Sequence, residues 1–512
     1  MKPKLKFRWL ILFVLLLGIF FRFLNLDGKL YWHDEVHTSL RINGYNSQEV
    51  IVEVFTGEVT TIDNLLKFQL PSSEKTLSDT ISALLTHPEH PPLYYLLAHF
   101  WVQLFGGSVA VTRSLSAIIS LLAFPCLYWL CRELFNSQLI AWIAIILFAV
   151  SPVHVLYAQE AREYSLWTVT ILLTSATLLR AKRKKSLAAW LVYSLSLTTG
   201  FYTSLLSAFV ALAHGIYLII IERWHWTKNL VYYFLSSILS LVLFTPWLIV
   251  IFNNYSKMQT QTNWAKVREP FWVLWSSWEL SLSSVFIDIH PEVNFWLIPR
   301  FALFLLLAVG YSVYFPSRRR QTQNQWLFIL TLICANSLAI ILPDLLFGER
   351  LSTGTRYFIP AYMGIQIAVA YLLADAKFLS RKIWTVIVSL LLAAGIISCG
   401  ISSQADTWWN KISSYHNAEI AQIINQSSRP LLVSDAFDIN LGNIISLTHL
   451  LENKVRLQLM VKPKFKSISS NFENVFVFNP SPTLKAAIEK QDNLHLELVY
   501  NSGYPLWKAI KL

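Results

Sequence analysis

Residues 31–37 read Tyr-Trp-His-Asp-Glu-Val-His and follow the first apolar run directly. Asp34 and Glu35 are adjacent carboxylates flanked by His33 and His37. An acidic pair at the mouth of a membrane protein can take a proton from an attacking hydroxyl or hold a divalent cation. Solvated loop residues would look the same, so the pair has to be weighed with other polar stretches. Three stand out: His87-Pro88-Glu89-His90-Pro91-Pro92-Leu93-Tyr94-Tyr95, Gln159-Glu160-Ala161-Arg162-Glu163-Tyr164 and Thr355-Arg356-Tyr357. Each also has a plain structural reading. Pro91-Pro92 suits a helix start, Glu160 with Arg162 a loop ion pair, and Arg356 a snorkelling anchor. His33 and His37 read equally as loop residues, and the aromatics as an interface belt. Ionisable residues at span ends that face a bundle interior are nonetheless functional candidates.

The elements that must position these residues are membrane helices. The 512 residues are 54% hydrophobic and only 14% charged, with mean hydropathy +0.46, whereas soluble domains carry about 25% charge. The formal charge of +12 sits in short clusters between apolar runs. That is a positive-inside pattern, and it argues against a nucleic-acid partner. The four cysteines have neither metal-ligand spacing nor the look of a disulfide framework. The first apolar run lacks a small-residue cleavage site and reads as a retained span.

Spans need about 20 apolar residues. The pattern predicts eleven, at about 9–26, 113–131, 138–152, 164–180, 187–200, 201–221, 229–251, 296–315, 325–343, 358–374 and 383–402. The stretch 92–105 is too short to cross comfortably and reads as a helix on or in the outer leaflet. With that choice Arg132, Arg180–Lys185, Arg318–Arg320, Lys377, Arg381 and Lys382 all lie inside. The N-terminus is then cytoplasmic. The loop 27–111, with ten acidic and four basic residues, is outside, and so is the chain after 402. The expected fold is an all-α polytopic membrane module, residues 1–402, followed by a small soluble α/β domain, 403–512. In that domain β-rich runs fall at Pro430–Ser434, Val455–Val461, Asn474–Phe478 and Leu494–Tyr500, and helical patterns at His416–Asn425 and Pro482–Lys490. It has no glycine-rich phosphate loop.

Taken in order, the four motifs resemble the GT-C superfamily of glycosyltransferases, in the branch of the protein O-mannosyltransferases and the bacterial aminoarabinose-to-lipid-A transferase. Asp34-Glu35 matches the acidic pair of their first outer loop, and His90–Tyr94 with Tyr95 the segment that closes it. Ser151-Pro152 with Gln159–Tyr164 matches a bacterial stretch after the third span, and Arg356-Tyr357 a late Arg-Tyr. The resemblance covers about residues 1–400. It implies a polyprenyl-phosphate-linked sugar donor and inversion at the anomeric carbon, in a hexosyl- or pentosyltransferase of the cell membrane. The acceptor is a lipid, a glycan or a protein. On this view Asp34 is the base and Glu35 stabilises the oxocarbenium-like transition state. Arg162 and Arg356 grip the leaving phosphate, with His90 as a further donor. Tyr94, Gln159, Glu160, Tyr164 and Tyr357 complete the substrate site. No resident metal is assigned, although Asp34, Glu35 and Glu160 offer oxygen ligands for Mg²⁺ or Mn²⁺.

Two other classes fit the same composition. A transporter or flippase of lipid-linked sugars would more often show inverted repeats and mid-membrane charges. Here the charges cluster at one face. A polysaccharide polymerase is a neighbouring enzyme reading, and a scaffold would show no coupled effect of Asp34 and Arg162.

Overall fold

The computed structural model describes residues 5–289, 300–305, 307–308, 310–311, 323–375, 380–462, 465–469, 471–491, 494–501 and 503–511. The chain forms two compact units. The first comprises Met1–Leu24, His87–Tyr94 and Arg113–Gln404, and the second Asn25–Thr86, Tyr95–Thr112 and Ala405–Leu512. The loop that carries Asp34 therefore folds largely with the chain after residue 404.

The first unit is helical and shows a multi-pass membrane protein, but the count of eleven spans does not stand. Among the described residues five helices are long and apolar enough to cross: Val109–Phe135, Lys228–Asn253, Gln323–Phe347, Thr355–Asp375 and Arg381–Gln404. A sixth is obtained if Gln138–Ala149 and Pro152–Ala158, bent by 62°, count as one. The other expected spans form helices that miss on charge, polarity or length. Helix α1 (Leu5–Phe23) carries Lys6, Arg8 and Arg22 in 19 residues. Tyr164–Lys184 contains six serines and threonines and ends in Arg180, Lys182, Arg183 and Lys184. Leu187–Thr203 and Ser207–Ile221 have 17 and 15 residues, so each is shorter than the ~30 Å apolar core at 1.5 Å per residue. Leu93–Phe105, with 13 residues, is short as expected. Part of the span expected at 296–315, together with Arg318–Arg320 and Lys377, lies outside the described residues. Helix α1 packs closely on Gln138–Ala149. A Cβ at Gly18 would come within 2.4 Å of the Ala149 carbonyl oxygen, so only glycine admits this approach.

The second unit is built on a six-stranded mixed sheet. Its strands are β1 (Val59–Thr61), β2 (Pro430–Asp435), β3 (Arg456–Met460), β4 (Asn474–Phe478), β5 (Leu494–Tyr500) and β6 (Leu506–Lys511), in the order β1-β3-β2-β4-β6-β5. Strands β3, β2 and β4 run parallel, and the outer three pair antiparallel. Alternation along β2 sends Leu431 and Val433 into a core with Val475, Val477, Leu484 and Ile488. Leu432 is buried as well, as suits a parallel strand covered on both faces. Strand β1 comes from the first loop, where Val59 pairs with Gln458 and Thr61 with Arg456. The four strands and two helices expected after residue 403 are all present. The helix Asn440–Thr448 and strand β6 join them.

Candidate active site

In the second unit the acidic pair opens helix α2 (His33–Ile42), with Asp34 and Glu35 in its first turn. Carboxylates there complement the partial positive charge of the helix N-terminus. Trp32 is the N-cap and offers no side-chain cap. The His33 backbone N–H instead donates to Ser414 Oγ at 3.1 Å, and Ser414 donates to Asn443 Oδ1 at 2.7 Å. The two carboxylates then differ. Asp34 is half-buried. Glu35 is fully buried, and its Oε2 lies 3.4 Å from Nζ of Lys411, which is 1% exposed. The Lys411 ammonium also sits 5.4 Å from the centre of the Trp32 ring. His33 and His37 meet edge to face with centroids 4.5 Å apart. A Cβ at Gly442 would come within 2.2 Å of His33 Nδ1.

In the first unit Gln159–Tyr164 follows the bend between Gln138–Ala149 and Pro152–Ala158, and the unit also holds His87–Tyr94 and Thr355–Tyr357. Pro152 takes the first turn of its helix, where its missing N–H costs nothing. Ser151 Oγ donates to the Val285 carbonyl at 2.6 Å, and the Val153 N–H to the Ser284 carbonyl at 3.0 Å. Arg22, buried in α1, donates to the carbonyls of Gly18, Ala149 and Phe148 at 2.8, 2.6 and 3.3 Å. Its guanidinium lies over the rings of Phe124 and Phe148. Gln159 Nε2 donates to the carbonyls of Phe21 and Leu24 at 2.7 and 2.9 Å, which fixes the far end of the bent pair to the end of α1.

Glu160 is fully buried and Arg162 is 3% exposed. Arg162 Nε lies 3.4 Å from Glu163 Oε2, and its guanidinium 5.6 Å from the Tyr164 ring centre. The Arg162 carbonyl accepts from Ser116 Oγ at 3.2 Å, and Ser116 Oγ is 2.7 Å from the Tyr94 hydroxyl. Tyr94 and Arg162, far apart in sequence, are thus joined through one serine. The His90 imidazole lies 3.8 Å from Glu89 Oε1 and the His87 imidazole 3.2 Å from it, while Trp247 Nε1 donates to the Pro88 carbonyl. Arg356, half-buried, lies over Tyr357 at 4.8 Å and Trp264 at 6.0 Å. Its turn is held by Tyr362, which donates to the Thr355 carbonyl, and by Asp344, which accepts from the Leu351 and Ser352 N–H groups.

The Tyr157 ring is 5.0 Å from that of Tyr164. Tyr157 and Lys411 were not anticipated from the sequence. No local spacing sets Tyr157 apart from the other aromatics, and Lys411 follows the last apolar run with no motif around it. Among the described residues no three His, Cys, Asp or Glu side chains come together as a metal-ligand set. Glu35, one of the oxygen ligands considered, faces a lysine ammonium instead.

The sequence profile described as dolichyl-phosphate-mannose-protein mannosyltransferase matches residues 89–250. No curated protein matches the chain in sequence. ArnT from Cupriavidus metallidurans in the apo state aligns with a TM-score of 0.57 at 12% identity, over 99% of this chain and 98% of that one. The same protein bound to undecaprenyl phosphate gives 0.50 over the same shares. The Archaeoglobus fulgidus oligosaccharyltransferase in its apo form gives 0.50 at 13% identity, over 88% of this chain and 64% of its own. At such identities the likeness establishes the fold. In fold along nearly its whole length, and in sequence over residues 89–250, the chain resembles the GT-C membrane glycosyltransferases of the ArnT and protein mannosyltransferase branch.

Proposed function

We propose that the protein transfers a sugar from a polyprenyl-phosphate-linked donor to an acceptor hydroxyl at the membrane surface, with inversion. The observation that carries this reading is likeness along nearly the whole chain to a protein solved with undecaprenyl phosphate, joined to the profile match at residues 89–250. In the proposed step the acceptor oxygen attacks the anomeric carbon and gives its proton to Asp34. The bond from that carbon to the phosphate oxygen breaks, and the polyprenyl phosphate leaves as an anion. It needs no general acid but does need fixed positive charge. Arg162 and Arg356 meet that need, because guanidinium binds phosphate as a planar fork. Tyr94, Gln159, Glu160, Tyr164 and Tyr357 shape the surrounding site, and His90 is a further donor.

The test compares membrane lipids and surface glycans of cells with and without the protein by mass spectrometry. The missing sugar identifies the donor class, and its linkage, read by NMR, is inverted relative to the donor. Asp34→Asn should lower product by roughly 10²–10⁴-fold and leave binding of undecaprenyl phosphate intact. Arg162→Lys and Arg356→Lys should each weaken that binding. Near-normal product from Asp34→Asn removes it as the base, and unchanged binding in both arginine variants removes them as the phosphate grip. The charge pattern further puts the N-terminus in the cytoplasm and the chain after 402 outside. Cysteines introduced at positions 160 and 183 should label from opposite sides, and labelling from one side would sink that orientation.

A further inference from the structure

We propose that Lys411 is a positioning residue, and that the turn 411–414 is a helix cap supplied to α2 from the far end of the chain. It seals Glu35 and leaves Asp34 as the carboxylate of the pair that reaches solvent. The proposal rests on the reading of Asp34 as base and gives the residues after the last membrane helix a part in it.

The geometry has three parts. The first turn of a helix leaves backbone N–H groups without partners inside the helix, and Ser414 Oγ accepts the one from His33. Three residues earlier, Lys411 Nζ lies 3.4 Å from Glu35 Oε2, with both side chains sealed from solvent. The same ammonium lies over the ring of Trp32, the N-cap residue. The docking extends one step further, since the Leu30 N–H donates to the Asp406 carbonyl at 2.7 Å. A short segment thus grips the entry, the first amide and the third side chain of α2.

The chemistry follows from helix geometry. Successive residues on a helix point about 100° apart, so one carboxylate can be sealed while its neighbour stays accessible. Two adjacent free carboxylates would raise each other's proton affinity. A fixed ammonium on Glu35 offsets its charge beside Asp34. The Glu35 carboxylate has no exposed surface and meets a buried ammonium, so its charge is matched inside the fold. Glu35 therefore acts on the reaction through α2.

The experiment is a double-mutant cycle on the full chain in detergent and in cells, with Glu35→Gln, Lys411→Met and the pair together. Lys411→Met keeps the length of the side chain and removes its charge, which strands a buried carboxylate. We expect the thermal midpoint and the glycosylated product to fall in both single variants. In the double variant, where no buried charge is left unmatched, the midpoint should return close to that of the wild type and product to at least about a tenth of it. Undecaprenyl phosphate is the binding probe, and its affinity should be unchanged in the double variant. A double variant that folds as the wild type but makes no product overturns the proposal, because the Glu35 carboxylate would then be needed in the reaction. Lost undecaprenyl phosphate affinity in that variant overturns it too, with Lys411 as a phosphate ligand. Additive losses of thermal stability dissolve the cap itself. That coupling is read without any transfer, so it stands or falls separately from the glycosyltransferase reading.

Discussion

Two places, the bend after Ala149 in the first unit and the start of α2 in the second, hold their polar residues by different means. In the first, side chains bind main chain: Arg22 takes carbonyls at the end of Gln138–Ala149, Gln159 takes carbonyls at the end of α1, and Ser151 takes one from Val285. In the second, links join side chains remote in sequence, Lys411 with Glu35 and Ser414 with Asn443. The difference follows from the surroundings. A bend in an apolar helix bundle frees carbonyls that no water can reach, so a donor must be built in. A domain assembled from two distant stretches needs contacts that fix which stretches meet, and paired polar side chains do this. At the bend the motif is positioned by satisfying backbone, and at the start of α2 a matched charge is added to such bonds.

The largest effect that would break this comparison is expected at Arg22. Arg22→Met keeps much of the bulk but removes the donor to the Ala149 carbonyl at the bend, while the Phe148 carbonyl keeps the N–H groups of Val150 and Ser151. An unsatisfied buried carbonyl costs about 1–3 kcal/mol, so the loss should be of that size and appear as a clear drop in thermal midpoint. Hydrogen exchange should place the loosening at residues 150–164. Lys411→Met should instead loosen residues 30–42. Identical exchange patterns in the two variants, or a wild-type midpoint for Arg22→Met, would show that the units are not held by separate devices.

The same contrast explains what could be read from the sequence. Strands β2 to β5 were legible because each is a short run rich in β-branched and large apolar residues with its own turn signals. The start of the helix at Pro482 was legible because Ser481 is followed by proline, and the Leu484 N–H does donate to Ser481 Oγ. Strand β1 was not, since three residues carry little pattern and its partner lies at Arg456–Gln458. Nothing local ties Lys411 to Glu35, 376 residues earlier. The span count failed for a related reason. Periodicity and apolar content do find helices, but Arg22, buried and bonded to carbonyls, marks α1 as more than a lipid-facing rod. The short pair after residue 186 shows that apolar character alone does not supply length. The motif stretches themselves were legible as candidates, because carboxylates, guanidinium groups and histidines are rare in so apolar a chain. The joining of Tyr94 to Arg162 through Ser116 was not, because serine is common there.

The smallest effect tests whether charge matching in the second unit reaches beyond α2. Asp435 ends β2, almost wholly buried, and accepts from the Ser481 N–H at 3.2 Å and from the Ser481 hydroxyl. Burial pushes its pKa above the ordinary 3.8, and the Ser481 hydrogen bonds pull part of the way back. A carboxyl whose folded pKa lies above its unfolded value adds stability that is complete below the unfolded value. That stability is lost as pH rises through the folded one. Wild type should therefore lose hydrogen-exchange protection in β2 and β4, relative to Asp435→Asn at each pH, as pH climbs from about 4 toward neutrality. The shift should be modest, because Ser481 already offsets part of the burial. A difference that stays flat with pH, or one in which wild type gains on the variant as pH rises, would mean that the Asp435 charge is matched in the fold, as Glu35 is paired with Lys411. Matching of buried charge would then extend in this unit beyond the helix that carries Asp34.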